Sequence, residues 1–429
     1  MRITLALALL IACAGARAQT DKTVEALVQK VEALTKTMEQ LNSRIETLEA
    51  ENKTLKEGQE TIQQDVAAIP PPPAPPAPSL NPDIGVVFDV VGNLTEDSPD
   101  DTQEDEGFDR FSVREIELNI GHDIDPYARL DATITFSDFE DVDIEEAYAS
   151  YSELPLDLWG RVGRFRLPIG LSNPKHRDQL FTVDEPLMIR RYLGAEGLFR
   201  TGVEFSRFLP QFNDKLTQQV RWGLSEGGSG EGGTIFGESR QHPTYFARLR
   251  NELALSQNDS LSLGSTFLAG SGDAFHNEAD VLGWGFDAEY QHKFGQYRAL
   301  TLQAESLLQD RDHGITPYAE TQLLGYYLLA NFRATQRWSF GTRYDYAEVA
   351  DYDPFALTGT DPEDYPYNVF RPNPNDDETS VSAWITFHQS EFAQWRLQYD
   401  HLDYANGLDD DQLRLQATFS VGWHQHAIK

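Results

Sequence analysis

Six basic side chains fall in one stretch of the chain, residues 166–199, which separates two predicted strands. Four acids, Asp178, Asp184, Glu185 and Glu196, lie among them. Arginine keeps its charge at physiological pH and offers forked N–H donors that match carboxylates and phosphates. The stretch therefore predicts a constriction that binds anionic solutes, the alternative being that these side chains only hold the stretch in place. The six basic residues are Arg166, Lys175, His176, Arg177, Arg190 and Arg191.

Charged residues also recur on the polar faces of the predicted strands. Mixed charges on such faces are typical of a water-filled interior, where transverse fields orient small polar solutes. Pairing within the wall is the alternative. The basic members predicted to line this lumen wall are Arg129, Arg221, Arg248, Arg250, Arg343, Arg396 and Arg414, and the acidic members are Glu115, Glu117, Asp131, Glu252, Glu305, Asp345 and Asp400.

The elements that must position these side chains are best seen in the last segment, residues 413–423. Leu413, Leu415, Ala417, Phe419, Val421 and Trp423 alternate with Arg414, Gln416, Thr418, Ser420 and Gly422. Strict alternation predicts a β-strand with one apolar and one polar face. An outer-membrane barrel and a water-soluble sandwich would both give this pattern. An aromatic residue near the end of a final strand favours the barrel.

Sixteen segments of this kind follow one another, separated by gaps that are alternately short and long. An even strand number and this rhythm are typical of bacterial outer-membrane barrels with short turns at one end and long loops at the other. The sequence therefore predicts an all-β fold, a 16-stranded antiparallel transmembrane β-barrel over residues 83–429. The segments are 84–91, 111–121, 127–136, 142–152, 158–165, 200–208, 216–225, 245–255, 261–269, 282–294, 300–309, 321–333, 338–348, 379–388, 394–403 and 413–423.

Composition narrows the functional class. The formal charge of -34 makes nucleic acid an unsuitable partner. The mean hydropathy of -0.48 is too low for a helical membrane protein. Beyond the first 20 residues no apolar run approaches the ~18 residues of a membrane helix. The acids concentrate in long gaps, with eight in residues 95–109 and eight in residues 349–378. These gaps predict solvated loops or a carboxylate rim that holds divalent cations.

Three segments precede the predicted barrel. Residues 1–18 have the apolar core and the Ala16-Arg17-Ala18 site of a signal peptide, although Cys13, the only cysteine, ends a lipobox-like run and offers a competing lipidation site. Residues 20–69 contain seven heptads with apolar residues at most a and d positions, which predicts an α-helical coiled coil of two or three strands. The proline-rich residues 70–82 predict a stiff linker.

A family resemblance covers most of the barrel region. The run from Gly163 through Arg166 to Gly170 resembles the strand-to-loop motif of the phosphate-selective porin O/P-like family, and residues 416–424 resemble its C-terminal strand. Asn173, His176 and Glu196 continue the similarity. The resemblance implies a 16-stranded barrel that is usually trimeric, and the N-terminal heptads resemble the periplasmic coiled coil of some trimeric porins. Residues 166–199 form the third outer gap, where general porins fold a loop inward. The lysine cluster that phosphate-selective members carry in their outer loops is not recognisable here, so the resemblance does not extend to phosphate as the solute.

The expected function is passive, selective diffusion of small, preferably anionic solutes through the outer membrane, with the coiled coil in the periplasm. The alternative is a structural protein that tethers the membrane to the cell wall. Expected partners are two further copies of the chain, outer-membrane lipid and lipopolysaccharide, solutes, and peptidoglycan as a further candidate. An enzyme, a cofactor and a metal site are not expected, because no HExxH or paired-cysteine motif occurs and the ten histidines are scattered.

Overall fold

The computed structural model describes two compact units, Met1–Leu80 and Asn81–Lys429. In the first unit, residues 43–50 are helical, and Ile45 and Leu48, which occupy an a and a d position, are about half exposed. Apart from residues 36, 40, 53, 54 and 56, the rest of the predicted coil lies outside the described residues, as do the signal peptide and nearly all of the linker. The described residues are 36, 40, 43–50, 53, 54, 56, 82–95, 110–137, 141–227, 235, 242–272, 279–312, 320–352, 370–405 and 408–423.

The second unit is a closed antiparallel barrel in which each strand pairs with the next along the chain and β1 pairs with β16. Among the described residues, no helix is long and apolar enough to cross a lipid bilayer. The strands are β1 Asp83–Thr95, β2 Arg110–Asp125, β3 Ala128–Ser137, β4 Asp141–Leu154, β5 Leu158–Arg166, β6 Phe199–Phe208, β7 Leu216–Ser225, β8 Thr244–Ala254, β9 Asp259–Gly272, β10 Ala279–Lys293, β11 Ala299–Asp312, β12 Glu320–Arg333, β13 Trp338–Tyr352, β14 Phe370–His388, β15 Ala393–Asp403 and β16 Asp409–Gly422.

All sixteen predicted strands are present in the predicted order, so the barrel prediction is confirmed. The largest difference lies at β13 and β14, which continue beyond the predicted ends until Tyr352 pairs with Phe370. The prediction ended them early because these extensions are acidic and proline-containing rather than alternating. Backbone pairing alone sustains such a ladder where neither face needs to be apolar.

The alternation in β16 separates an outer from an inner face. Leu413 and Leu415 are exposed, whereas Arg414, Gln416 and Thr418 are buried. The prediction that Trp423 shares the apolar face with Leu413 and Leu415 is wrong. Gly422 has a φ of +85°, which ends the alternation, and the Trp423 ring lies 4.8 Å from the Arg129 guanidinium on the inner face.

The connection between β5 and β6 contains a 3₁₀ turn, Arg177–Gln179, and one short helix, α1, Leu187–Tyr192. We call residues 167–198 the β5–β6 segment. The helix packs its apolar side chains, Met188 and Ile189 among them, into a buried cluster with residues on the inner faces of β8 to β14. This cluster is the apolar core of the barrel, and it fixes where the segment lies. Its wall members are Phe246, Leu268, Val281, Leu307, Leu323, Tyr327, Leu329, Ala347 and Trp384.

Candidate functional site

The β5–β6 segment is bonded to the inner face of the barrel through its backbone. The N–H groups of Leu171 and Ser172 donate to Glu305 Oε2 on β11, at 2.9 and 3.1 Å. Leu187 N–H donates to Asp345 Oδ1 on β13, at 3.1 Å. On β15, Gln398 Oε1 accepts from the N–H of Val183 at 2.8 Å. The segment thus obtains its backbone partners from widely separated strands.

Four wall arginines form an arginine cluster, Arg114, Arg343, Arg396 and Arg414, around residues 180–185 of the segment. Arg396 is 1% exposed and donates to the carbonyl oxygens of Leu180 and Thr182, both at 2.8 Å. Arg114 and Arg343 donate to the carbonyl oxygens of Val183 and Asp184. Buried carbonyl oxygens need hydrogen-bond partners, so the permanent charge and multiple donors of arginine suit this position.

Asp184 is the acidic centre of the arginine cluster. Its carboxylate forms a salt bridge with Arg414, lies 3.2 Å from Arg114 Nη1, and is 4.0 Å from Arg190 Nη1 on α1. Arg414 also pairs with Asp400 at 2.6 Å. One buried carboxylate thereby connects the segment to two strands and to the helix.

A glutamate cluster, Glu117, Glu145 and Glu146, binds two of the predicted cations, Arg166 and His176. A bulge where β4 pairs with β3 leaves Glu145 and Glu146 both buried, although they are consecutive. Arg166 pairs with Glu145 and donates to the carbonyl oxygen of Glu196 at 2.6 Å. His176 places Nε2 2.9 Å from Glu146 Oε2 and Nδ1 3.2 Å from Glu145 Oε2.

The carboxylates around His176 determine the pKa of its imidazole. Burial alone would lower its pKa, but the carboxylates of Glu145 and Glu117 outweigh burial and raise the pKa well above its ordinary value. The neighbouring Glu185 shows the opposite balance. Burial raises the pKa of its carboxyl group, against the Arg166 charge and a hydrogen bond from Ser172.

The structure brings all six predicted constriction residues together in or beside the segment, and most have ionic partners. Arg177 lies 3.0 Å from Glu196 and 3.6 Å from Glu115. Arg191 donates to both oxygens of Glu378 at 2.7 and 3.0 Å. Lys175 is partly buried. These contacts agree with the alternative that the cations hold the segment to the wall.

The predicted basic wall residues outside the arginine cluster are paired with acids of their own strands or of nearby strands. Arg248 donates to both oxygens of Asp287, at 2.7 and 3.0 Å. Arg129 bonds Asp131 on the same strand at 2.9 Å. Arg250 is 2.8 Å from Glu252 and remains exposed. The wall is therefore a network of ion pairs rather than a row of separate charges.

Sequence reasoning missed the residues that anchor the segment, among them Arg114, Glu145, Glu146 and Glu378. The pair Glu145-Glu146 carried a usable signal, because two consecutive acids in a strand require either an exposed edge or a bulge. No sequence signal identified Glu378 as the partner of Arg191, because Glu378 lies in a strand extension whose sequence does not alternate between apolar and polar residues.

Substitution of Gly170 should loosen the segment. Gly170 has a φ of +59°, and a Cβ there would lie 1.6 Å from Glu305 Oε1. For Gly170→Ala, the left-handed backbone conformation alone costs about 1–2 kcal/mol. In addition, the Glu305 carboxylate must move away from the N–H groups of Leu171 and Ser172, which donate hydrogen bonds to it. We expect tryptic cleavage at Arg190 or Arg191 in the folded protein to accelerate about tenfold. Gly295→Ala, where nothing lies within 4 Å, is the control, and equal rates for the two variants would contradict this.

One serine, aspartate and histidine set occurs among the described residues, but it lacks catalytic geometry. Ser256 Oγ and His292 Nδ1 both contact Asp259, so the carboxylate lies between them. A serine nucleophile requires the histidine in the central position. Ser256 Oγ also accepts from the N–H groups of Asn258 and Asp259, so the set stabilises a turn.

Comparison with solved structures shows which known proteins share this fold. No family model matches the sequence, and no curated protein does. A loop-deletion mutant of OmpT, an outer-membrane protein of Vibrio cholerae, superimposes with a TM-score of 0.50 at 12% identity, covering 80% of this chain and 99% of its own. The chain has the fold of an outer-membrane barrel.

Two further structures share this outer-membrane barrel fold. The outer-membrane channel DcaP of Acinetobacter baumannii gives a TM-score of 0.50 at 12% identity, covering 80% of this chain and 98% of its own. The trimer form of OmpT gives 0.50 at 11% identity, with coverages of 80% and 99%. At these low sequence identities, the similarity shows a shared fold alone.

Proposed function

We propose that the protein is a passive diffusion channel for small polar solutes in the outer membrane of a Gram-negative bacterium. The observation that carries the proposal is a closed barrel whose β5–β6 segment is bonded to the inner faces of β2, β4, β11, β13, β14, β15 and β16. In this proposal the segment crosses the lumen and narrows it. The fold shared with the outer-membrane channel DcaP supports the same class.

The membrane location rests on the outer face of the barrel. Large apolar side chains at alternating positions are exposed there, including Trp284 and Phe286 on β10 and Leu397 and Tyr399 on β15. Exposure of so many apolar groups to water is unfavourable, whereas lipid requires such a surface on a barrel. A barrel of this kind inserts in the outer membrane.

A preference for anions is the finer proposal. Its support is the concentration of permanent charge in the arginine cluster and in the segment, where Lys175 is only partly buried. Many of these cations have acidic partners, so the preference depends on the few that contact the aqueous path. The resemblance to the phosphate-selective family points in the same direction without naming the solute.

Lys175→Glu tests this preference directly. The substitution reverses one charge beside the proposed path, so the anion-to-cation permeability ratio should fall about twofold or more. The ratio follows from the reversal potential of the channel under a salt gradient. Lys215→Glu, on an exposed turn at the other end of the barrel, is the matched control. An unchanged ratio for Lys175→Glu would remove the segment from the selectivity mechanism.

The proposed assembly is a homotrimer of barrels, with residues 20–69 forming a periplasmic coiled coil and residues 70–82 a linker. The trimer form of OmpT shows that this fold occurs in trimers. Contacts with lipopolysaccharide and peptidoglycan belong to the same proposal. The heptads predict that deleting residues 20–69 weakens the trimer without removing the channel.

Uptake into liposomes tests the channel proposal. Protein reconstituted into liposomes should let small sugars, amino acids and phosphate enter, with rates that decline as solute size increases. Swelling rates measured by light scattering give this dependence. Liposomes that contain folded barrel but swell no faster than empty ones would refute the proposal.

A further inference from the structure

Three potential metal ligands meet in the glutamate cluster beneath the β5–β6 segment. Glu117 on β2, Glu145 on β4 and His176 in the segment each offer one atom, and these atoms lie within 4.8 Å of one another. All three side chains are at most 3% exposed. The three elements come from separate parts of the chain and meet only in the folded barrel.

The distances around His176 Nδ1 match those between ligands of one ion. Glu145 Oε2 lies 3.2 Å from Nδ1 and Glu117 Oε1 lies 3.6 Å from it. Oxygen and nitrogen ligands bind zinc at about 2.0–2.2 Å, so two ligands of a tetrahedral zinc ion lie about 3.4 Å apart. A single ion fits between these three atoms.

Hydrogen bonding alone leaves this arrangement incomplete. Nδ1 carries at most one proton, so it can donate well to only one of the two carboxylate oxygens that face it. The second oxygen then lies beside the first without a donor from the imidazole. A metal ion in place of that proton would bind both oxygens and the nitrogen at once.

The remaining atoms of the three side chains are already engaged. Glu145 Oε1 accepts from Arg166, and Glu117 Oε2 lies 3.4 Å from the amide nitrogen of Asn119. His176 Nε2 lies 2.9 Å from Glu146 Oε2. A carboxylate that accepts from the second ring nitrogen is the usual support of a metal-binding histidine, since it fixes the tautomer and the ring orientation.

Charge favours a cation at this position. Five carboxylates surround it, those of Glu115, Glu117, Glu145, Glu146 and Glu196. The cations in contact with them are Arg166, Arg177 and His176. Of these groups, Glu117, Glu145 and Glu146 are in contact with Arg166 and His176, so negative groups exceed positive ones by one in the glutamate cluster even when the imidazole carries both protons. Buried charges need compensation, and a divalent ion supplies it.

We propose that Glu117, Glu145 and His176 form a binding site for a divalent transition-metal ion, with zinc as the probe. An imidazole with two carboxylates suits zinc, whereas magnesium and calcium prefer oxygen ligands alone. Binding of the ion releases the proton from Nδ1 and leaves room for water as a fourth ligand. The ion would join the segment to β2 and β4, a role that goes beyond the proposed channel.

Metal analysis of the untagged full chain tests the site. The protein carries His424→Gln and His426→Gln to remove the terminal histidines, is stripped with a chelator and is then equilibrated with zinc. We expect one zinc per chain by mass spectrometry of the desalted protein. His176→Gln and Glu117→Gln should lose it, and Glu146→Gln should bind about 10- to 100-fold more weakly. Glu289→Gln on β10 is the control and should keep it.

X-ray absorption at the zinc edge of the parent protein provides a readout that needs no variant of the site. We expect one imidazole nitrogen and otherwise oxygen ligands. A spectrum without imidazole, or zinc content no higher in the parent than in folded His176→Gln, would overturn the proposal. Conductance is measured on the same samples, so absence of a channel and absence of a metal site are separate outcomes.

Discussion

Removal of the β5–β6 segment is expected to raise single-channel conductance several-fold. The N–H of Leu167 donates to the carbonyl oxygen of Leu198 at 3.0 Å, so the two ends of the segment are adjacent. A four-residue Gly/Ser turn can therefore replace residues 168–197 while β5 and β6 stay paired. The conductance of a water-filled pore increases with its narrowest cross-section, and this variant removes the proposed constriction.

The control for this deletion is a shortened connection at the same end of the barrel. Tyr352 and Phe370 pair at the ends of β13 and β14, so residues 355–367 can be replaced by a similar turn. This variant should keep the parental conductance. The heat-dependent shift in electrophoretic mobility shows whether the deletion variant is folded. If the folded variant has no higher conductance than the parent, the segment does not limit the pore.

Replacement of Asp184 by asparagine is expected to release the segment from the wall. Asp184→Asn preserves shape but removes the charge that faces Arg414, Arg114 and Arg190. Removing one partner of a buried ion pair typically costs about 3–5 kcal/mol. Even about 3 kcal/mol would raise the population of the opened segment about 100-fold.

Limited proteolysis measures this opening. Arg190 and Arg191 lie on α1 and are largely buried, so trypsin reaches them only when the segment opens. When closing is faster than cleavage, the cleavage rate follows the opened population. The rate should rise about 100-fold for Asp184→Asn and stay unchanged for Asp157→Asn, whose side chain is 95% exposed. Equal rates would mean that Asp184 does not hold the segment.

The barrel was predictable because its strands obey one simple rule. Alternate positions face the outside and the inside of the barrel, so β7, for example, begins and ends where the alternation in its sequence does, at Leu216 and Ser225. The rule fails where only backbone pairing holds a strand, as in the extension of β14 to Phe370. It also fails at Trp423, because the positive φ of Gly422 turns the chain inward.

The basic residues of the candidate site could be selected from the sequence, but their partners could not. Their role as a constriction stays a prediction, and the structure shows most of them paired with acids. Their partners come from strands far away in sequence, such as Glu378 for Arg191 and Glu145 for Arg166. Closure of the barrel brings these residues together, and neither spacing nor composition contains that information. The apolar inner surface beneath α1 was missed for the same reason.

Single-channel recording in planar bilayers tests the central claim most directly. Folded protein added to a lipid bilayer under a salt gradient should produce stepwise increases in current. The size of the steps gives the conductance, and their reversal potential gives the ion preference, which we expect to favour anions. Stepwise current of either selectivity supports a channel. Absence of current from a folded barrel that has inserted in the bilayer would contradict it.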